Sequence, residues 1–437
     1  MRLRDFLEID FILFLSSLVL ILFGVLFIYS SGVTSEGVLV SREYIRQIVW
    51  GIFGFLSALV IAMVDYRRVR NLSLWLYLAT IVLLIYTCIF GRSINGARAW
   101  IGVGSFGIQP SEFAKITTIV FLARYLADTV RNTGTFSRLL VSAAIVFVPM
   151  GLILIQPDFG TSLVFIPILV VMTFIAGVAI RYIFFLTACI GLTGILMVLP
   201  LWQSYILKTS YRFLTLLMDL RFIGIPVIIL GATGIIALFG YVKYKKRYFY
   251  WIIYSSAILV FSLAASYASH KVLKDYQIMR LIVFLDPNVD PRGAGWNIIQ
   301  SITAIGSGGI SGKGYLQGTQ SHYQFLPQQS TDFIFSIFTE EWGLVGGVML
   351  FLLFLIIILR LIRIVKTATD PFGSYITAGL AGMYVFHFLI NVGMTMGIMP
   401  ITGIPLYFMS YGGSALISAM AGIGLAMSVH IRRFLHG

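Results

Sequence analysis

The residues of this chain that could do chemistry are a few charged side chains set in an apolar sequence. Asp332 closes a long polar stretch, Asp275 to Asp332, and stands directly before the apolar run FIFSIF. A carboxylate at that boundary has two readings. It can cap the helix, accepting from the free amides of the first turn. It can instead be a general base at a membrane surface, positioned by the rigid helix behind it. Ser336 and Glu340 follow at four and eight residues and fall near the same helical face. Glu340 and Glu341 lie two turns into the apolar run, where acids generally face a bundle interior or a cavity.

Three more outer segments carry candidates. In IQPSEFAK, Pro110 suits the first helical position and Glu112 the first turn. Lys115 is three residues on, so the two can pair on one face. The pair is either a structural cap, or Lys115 joins Arg98 of the preceding loop in facing an anionic ligand group. In QPDFGT, Asp158 is either a solvated acid in a membrane-edge turn or the lining of a polar cavity, paired with Arg98 or Lys115. Gly306–Gly318 holds Lys313 in GSGGISGKGYLQG but lacks the strand–GxxxxGK[ST]–helix context, which excludes nucleotide binding. The segment MPITGIPLYFMSYGGS is broken by Pro400, Gly403, Pro405, Gly412 and Gly413. Irregular backbone at that depth is tolerated where protein buries it or where it lines a cavity. The five His show no metal spacing, and His387 is expected as a helix–helix hydrogen-bond donor. Cys88 and Cys189 sit in apolar runs, which argues against a disulfide framework.

The elements that must hold these residues follow from composition. Apolar residues make up 59% and charged residues 11%, against about 25% charged in soluble domains, and mean hydropathy is +0.95. The expectation is an all-α polytopic membrane protein. The charge of +14 then reads as basic cytoplasmic loops and not as a nucleic-acid surface. Apolar runs fall near 11–29, 47–64, 73–90, 112–127, 139–155, 161–180, 183–202, 222–241, 249–267, 333–359, 375–396 and 413–430. Twelve spans put both termini on one side, and the first run is too long for a cleaved leader. Arg67, Arg68, Arg70, Arg131, Arg138, Arg181, Lys243, Lys245, Lys246, Arg247, Arg363, Lys366, Arg432 and Arg433 all fall in alternate loops, which assigns those loops to the cytoplasm. The outer face then holds Ser31–Arg46, Gly91–Ser111, Gln156–Gly160, Asp275–Asp332 and Met399–Tyr411, and the candidate residues lie in these segments or in the helices that adjoin them. Ser204–Arg221 is patterned as a helix lying in the outer interface. The whole, 1–437, reads as one membrane domain.

Taken together, NGARAWIGVG, IQPSEFAK, QPDFGTS, DPNVDPRGAGWNIIQS, AIGSGGISGKG, GTQS, FLP, TDFIFS, EEWGLVG and TGIPLYFMSYGGS resemble the SEDS family (shape, elongation, division and sporulation). The match runs from about residue 45 to the C-terminus, and GTQS before FLP is closer to the elongation member than to the division member. The resemblance implies a SEDS-type helical bundle that polymerises lipid II into glycan strands outside the bacterial cytoplasmic membrane, releasing undecaprenyl pyrophosphate. It implies that Asp332 is the essential acid and that Arg98, Glu112, Lys115 and Asp158 shape the lipid II cavity. Lys313, Gln320, Glu340 and Ser414 fall within the matching motifs and join them as substrate-binding candidates. A class B penicillin-binding protein and other membrane proteins of the elongation complex are the implied partners. No organic cofactor is implied, and a divalent cation, magnesium or manganese, at Asp158 stays open. Three features depart from the pattern. LPE with a following His is Leu326-Pro327-Gln328 with Ser330; PLPF is PLYF with Tyr407; and the usual ten spans become twelve through an inserted interfacial helix and hairpin at 204–267. The loop 268–332 is the expected catalytic loop. A flippase for lipid-linked precursors and a non-catalytic scaffold for a penicillin-binding protein are the rival readings.

Overall fold

Polar caps at the ends of apolar runs set the helix starts in the computed structural model, which describes residues 9–94, 97–103, 106–130, 134–207, 220–272, 275–293 and 295–434. Asp10, Asp65 and Asp370 each accept a first-turn amide with the side chain, opening α1 (Phe11–Ser31), α3 (Tyr66–Phe90) and, with Pro371 at its first position, the later helix Pro371–Thr395. Between α1 and α3 runs α2 (Glu43–Met63). Then come β1 (Arg92–Ile94), β2 (Ala97–Val103) and β3 (Phe106–Ile108), followed by α4 (Pro110–Asp128), α5 (Thr135–Ile155), α6 (Phe159–Leu163) and α7 (Phe165–Ile175). Next are α8 (Ile180–Trp202), α9 (Leu220–Tyr244), α10 (Arg247–Val272) and α11 (Asp275–Leu285). The chain ends with α12 (Trp296–Ser307), α13 (Thr319–His322), α14 (Ile334–Thr367), α15 (Pro371–Thr395) and α16 (Gly413–Ile431).

Among the described residues ten helices are long and apolar enough to cross a membrane. The two remaining expected spans are helical at their expected places but differ in kind. Helix α4 carries Glu112, Lys115, Arg124 and Asp128, and the run after Asp158 is divided into α6 and α7. The segment after α3, expected as a plain outer loop, is a three-stranded antiparallel meander pairing Arg92 with Trp100 and Ile101 with Ile108. Of the expected interfacial helix at 204–221, residues 208–219 lie outside the described residues; Gln203–Leu207 forms a π-turn.

Contacts gather the chain into two units, residues 1–178 with 297–437, and residues 179–296. In the first, α16 is enclosed by α2 and α15. The buried face of α2 is Gln47 followed by Gly51, Gly54, Ala58 and Ala62, these four a strip of small residues at helical spacing. It lets backbones meet, since a Cβ on Gly424 of α16 would lie 2.5 Å from the Ala58 carbonyl oxygen. Apolar attraction between helices is weak in lipid, so such close packing is a main source of association. The second unit holds α8–α11, with Ile223 of α9 packed against Leu263 of α10. The 268–332 stretch is thus shared between units, and it is largely helical.

Candidate functional site

The broken segment between α15 and α16, residues 396–412, is where most of the candidates meet. It bends through positive φ at Gly397, Gly403 and Phe408, and its backbone is held by side chains from several helices. Asn391 of α15 donates its amide nitrogen to the carbonyl oxygens of Asp332 (3.0 Å) and Ile404 (2.8 Å). The next residue, Pro405, takes His387 Nδ1 on its carbonyl at 3.1 Å. A carbonyl only accepts, so Nδ1 carries the hydrogen and Nε2 is the acceptor. Nε2 therefore accepts from Lys115 Nζ at 3.1 Å, and the same ammonium donates to Glu112 Oε1 at 2.8 Å. The other carboxylate oxygen, Oε2, accepts from the Tyr407 hydroxyl at 3.0 Å. The Tyr407 ring stacks on His387 with centroids 3.7 Å apart, and the Lys115 ammonium lies 5.1 Å from the Tyr407 centroid. Ser418 of α16 donates to the Glu112 carbonyl at 2.9 Å.

Lys115 is 0% exposed and Glu112 1%. Of the two sequence readings, this geometry fits the structural ion pair, because both groups are buried and bonded to each other. Arg98, by contrast, is exposed on β2, with its backbone N–H on the Gln156 carbonyl at 3.1 Å.

Asp158 caps α6, accepting from Thr161 N at 3.2 Å with Oδ1, while Oδ2 accepts from Gln109 Nε2 at 2.8 Å. Among the described residues no cation lies within ion-pair distance of it, so the expected pairing with Arg98 or Lys115 is replaced by Gln109. Gln109 also donates its N–H to Ser414 Oγ at 3.0 Å, which gives Ser414 a backbone partner. The turn meets the broken segment directly: a Cβ on Gly160 would lie 2.2 Å from the Thr402 carbonyl oxygen. Among the described residues no three His, Cys, Asp or Glu side chains gather as metal ligands. The protein groups around Asp158 therefore do not by themselves make a divalent-cation cage.

Asp332 lies at the end of a fastened turn. The N–H groups of Thr331 (3.3 Å), Asp332 (3.1 Å) and Phe333 (3.4 Å) converge on the Gln328 carbonyl, and the Tyr411 N–H bonds the Ser330 carbonyl at 2.8 Å. Ser330 Oγ donates to Glu43 of α2 at 2.7 Å. The residue at the cap of α14 is Phe333, so Asp332 stands one position outside the cap, half-buried.

Lys313, Gln320 and Glu340 form a second cluster. Glu340 accepts from Lys313 Nζ (2.8 Å), Thr319 N (2.8 Å) and Oγ1 (3.1 Å), Gln320 N (2.9 Å) and Ser321 N (3.3 Å). Its carboxylate is occupied in shaping the Gly-rich loop, eight residues and so about 12 Å along the helix axis from Asp332. Neighbouring Glu341 is hydrogen-bonded to Ser30 and to Leu316 N (3.1 Å), with His322 Nε2 at 3.6 Å.

Asn391, His387, Gln109 and Tyr407 were not among the sequence-derived site residues. A signal existed for two of them: His387 and Asn391 are four apart inside an apolar run and so share a face of α15. Gln109 and Tyr407 gave no such signal, because their roles depend on how irregular backbone folds.

A family model described as FtsW/RodA/SpoVE cell cycle protein matches residues 10–221 and 224–434, which includes nearly all of the segment read as an insertion. The chain is 50% identical to the peptidoglycan glycosyltransferase RodA of Treponema pallidum over 99% of its own length and 100% of that protein. It is 33% identical to the peptidoglycan glycosyltransferase MrdB of Escherichia coli, over 98% of this chain and 95% of that one. A solved structure described as the structural coordination of polymerization and crosslinking by a peptidoglycan synthase complex aligns with a TM-score of 0.66, 28% identity and 98% coverage of both chains.

Proposed function

This chain belongs to the FtsW/RodA/SpoVE family of cell cycle proteins, and from that premise we propose that it is a peptidoglycan glycosyltransferase with Asp332 as its general base. It is a multi-pass protein of the bacterial inner membrane. The substrate is lipid II, whose tail stays in the bilayer while its sugars meet the outer loops. The alternation of basic loops supports an outer active site and cytoplasmic termini.

The observation that carries the reading is convergence on residues 404–407. Asn391 ties the Asp332 backbone to Ile404, Pro405 orients His387 toward Lys115, and Tyr407 closes on Glu112. The main chain of half-buried Asp332, at the head of a long helix, is thus tied to a buried charged network. In the reaction the acceptor's sugar hydroxyl gives its proton to Asp332 as its oxygen attacks the anomeric carbon of the donor. The bond from that carbon to the lipid pyrophosphate breaks, and the pyrophosphate leaves with the electron pair. A positioned base contributes about 10²–10⁴-fold. Arg98, exposed and anchored beside the Asp158 turn, is the group suited to meet the developing negative charge. A partner carrying transpeptidase activity, a class B penicillin-binding protein, follows from the likeness to a synthase complex that coordinates polymerization with crosslinking.

The deciding experiment incubates purified protein with lipid II in detergent, with and without that partner, and reads glycan chains on a gel. Wild type should make chains and Asp332→Ala should make none. Chains from Asp332→Ala at the wild-type rate would remove Asp332 from the mechanism. If wild type makes none even with its partner, lipid transport or scaffolding is the better account.

A further inference from the structure

A second charged locus lies in the other unit, at the turn between α9 and α10. These helices are joined by two residues only, Lys245 and Lys246, with Lys245 at positive φ. The turn is closed by Lys245 N–H on the Tyr241 carbonyl (2.9 Å). It is also closed by the Phe249 ring, which packs so tightly on Gly240 that a Cβ there would lie 2.3 Å from it. Lys243, Lys245, Lys246 and Arg247 are therefore crowded onto one tip, all exposed. Arg181 belongs to the same end, since Tyr254 of α10 donates its hydroxyl to the Arg181 carbonyl at 2.6 Å.

The described residues of this unit do not neutralise the tip. From Ala179 to Trp296 the acids are Asp219, Asp275, Asp286 and Asp290, all in segments assigned to the opposite face. Among the described residues no carboxylate lies within ion-pair distance of the five cations. Rings surround the charges: Tyr244, Tyr248 and Trp251 are exposed, and Tyr244 and Tyr248 pack on Phe249 with centroids 6.2 and 4.2 Å away. A lone basic loop is ordinary for membrane topology. Four cations without an ion-pair partner on one tight tip, with Arg181 at the same end and aromatics of the kind that settle at headgroup level around them, form a denser feature.

We propose that this tip binds the phosphodiester headgroups of anionic phospholipids at the membrane surface, with the aromatic rings seated among the glycerol linkages. The charge complementarity and the position at the ends of two apolar helices favour a lipid over a soluble anion or a protein. The inference does not depend on Asp332 or on the polymerisation reading.

Native mass spectrometry of the full chain in detergent tests it, using an equimolar mixture of phosphatidylglycerol and phosphatidylcholine. Wild type should retain phosphatidylglycerol over phosphatidylcholine, and the variant carrying Lys243→Gln, Lys245→Gln, Lys246→Gln and Arg247→Gln should lose that preference by about tenfold or more. A charge-preserving variant, Lys243→Arg with Lys245→Arg and Lys246→Arg, should keep it. Equal retention of both lipids by wild type, or unchanged preference in the Gln variant, would overturn the proposal. So would full displacement of the lipid by an equal concentration of free glycerol phosphate, which would mark a soluble-anion site.

Discussion

At the residue scale, the Glu112–Lys115 pair is a case where burial decides the role. Two charges removed from water are tolerated only if every lone pair and proton is matched. Here Lys115 and Tyr407 donate to the two carboxylate oxygens of Glu112, and His387 Nε2 accepts from Lys115. Removing one partner leaves a buried charge uncompensated, at a cost of about 3–5 kcal/mol. Lys115→Met should therefore lower unfolding stability by that order, measured by thermal denaturation of the purified protein in detergent. The companion variant Lys115→Met with Glu112→Gln should recover much of it, since no lone charge remains. Equal stability of the single and double variants would argue against a coupled pair. Tyr407→Phe tests the same network more gently. It deletes only the donor to Glu112 Oε2 and should cost about 1–3 kcal/mol, less than Lys115→Met. The identity of these partners was only partly legible in the sequence. Glu112 and Lys115 announce themselves by spacing, and His387 with Asn391 by a shared helical face. Tyr407 reaches Glu112 only because residues 396–412 double back, and no periodicity encodes that path.

At the element scale, α14 combines a buried helical start with a break. Gly343 interrupts it at φ +62°, and the Gly-rich loop fills the space the break opens. A Cβ on Gly343 would lie 2.3 Å from Gly312 N and 2.6 Å from the Ile310 carbonyl oxygen. Around the break, Leu344 and Val345 donate their N–H groups to the carbonyls of Gly309 and Ile310 at 2.9 and 3.1 Å. The loop thus adds hydrogen bonds where the helix loses them. Gly343→Ala should destabilise by at least the cost of a strained backbone, about 1–3 kcal/mol. The steric conflict with Gly312 should also loosen the loop, seen as faster limited proteolysis between residues 306 and 318. A variant as stable and as resistant as wild type would mean that the break is not required. Legibility follows the same division. The long helices were readable because apolar runs of about 20 residues encode them directly. The meander at 92–108 was not, since its strands of three and seven residues, with Gly102 and Gly107 among them, carry no alternating pattern to find. The break at Gly343 was hidden inside a run that reads as continuous helix.

At the scale of the whole molecule, residues far apart in sequence are joined at one point near the start of the chain. His322 donates through Nδ1 to the Val33 carbonyl (2.6 Å), and its own carbonyl takes the Ser35 N–H at 3.1 Å. Since Val33 offers only a carbonyl, Nδ1 carries the hydrogen and Nε2 is left facing Glu341, 3.6 Å away. The Glu341 carboxylate is the main reason the His322 pKa is held above its ordinary value, with burial opposing and the Val33 bond and Glu340 assisting. The sign of the pH effect follows from linkage. The folded state binds the proton more tightly than the unfolded chain, whose His titrates near about 6.5. The contribution of this contact is thus fully present below about pH 6.5 and is lost as pH rises through the higher folded pKa. Stability from this contact should therefore fall between mildly acidic and mildly alkaline pH. His322→Gln, which cannot carry the charge, should flatten that part of the profile while lowering stability at the acidic end. The check is thermal unfolding of wild type and variant across that range at constant salt. A wild-type profile that rises with pH there, or one that matches His322→Gln in shape, would remove this contact from the forces that join α1, the Gly-rich loop and α14.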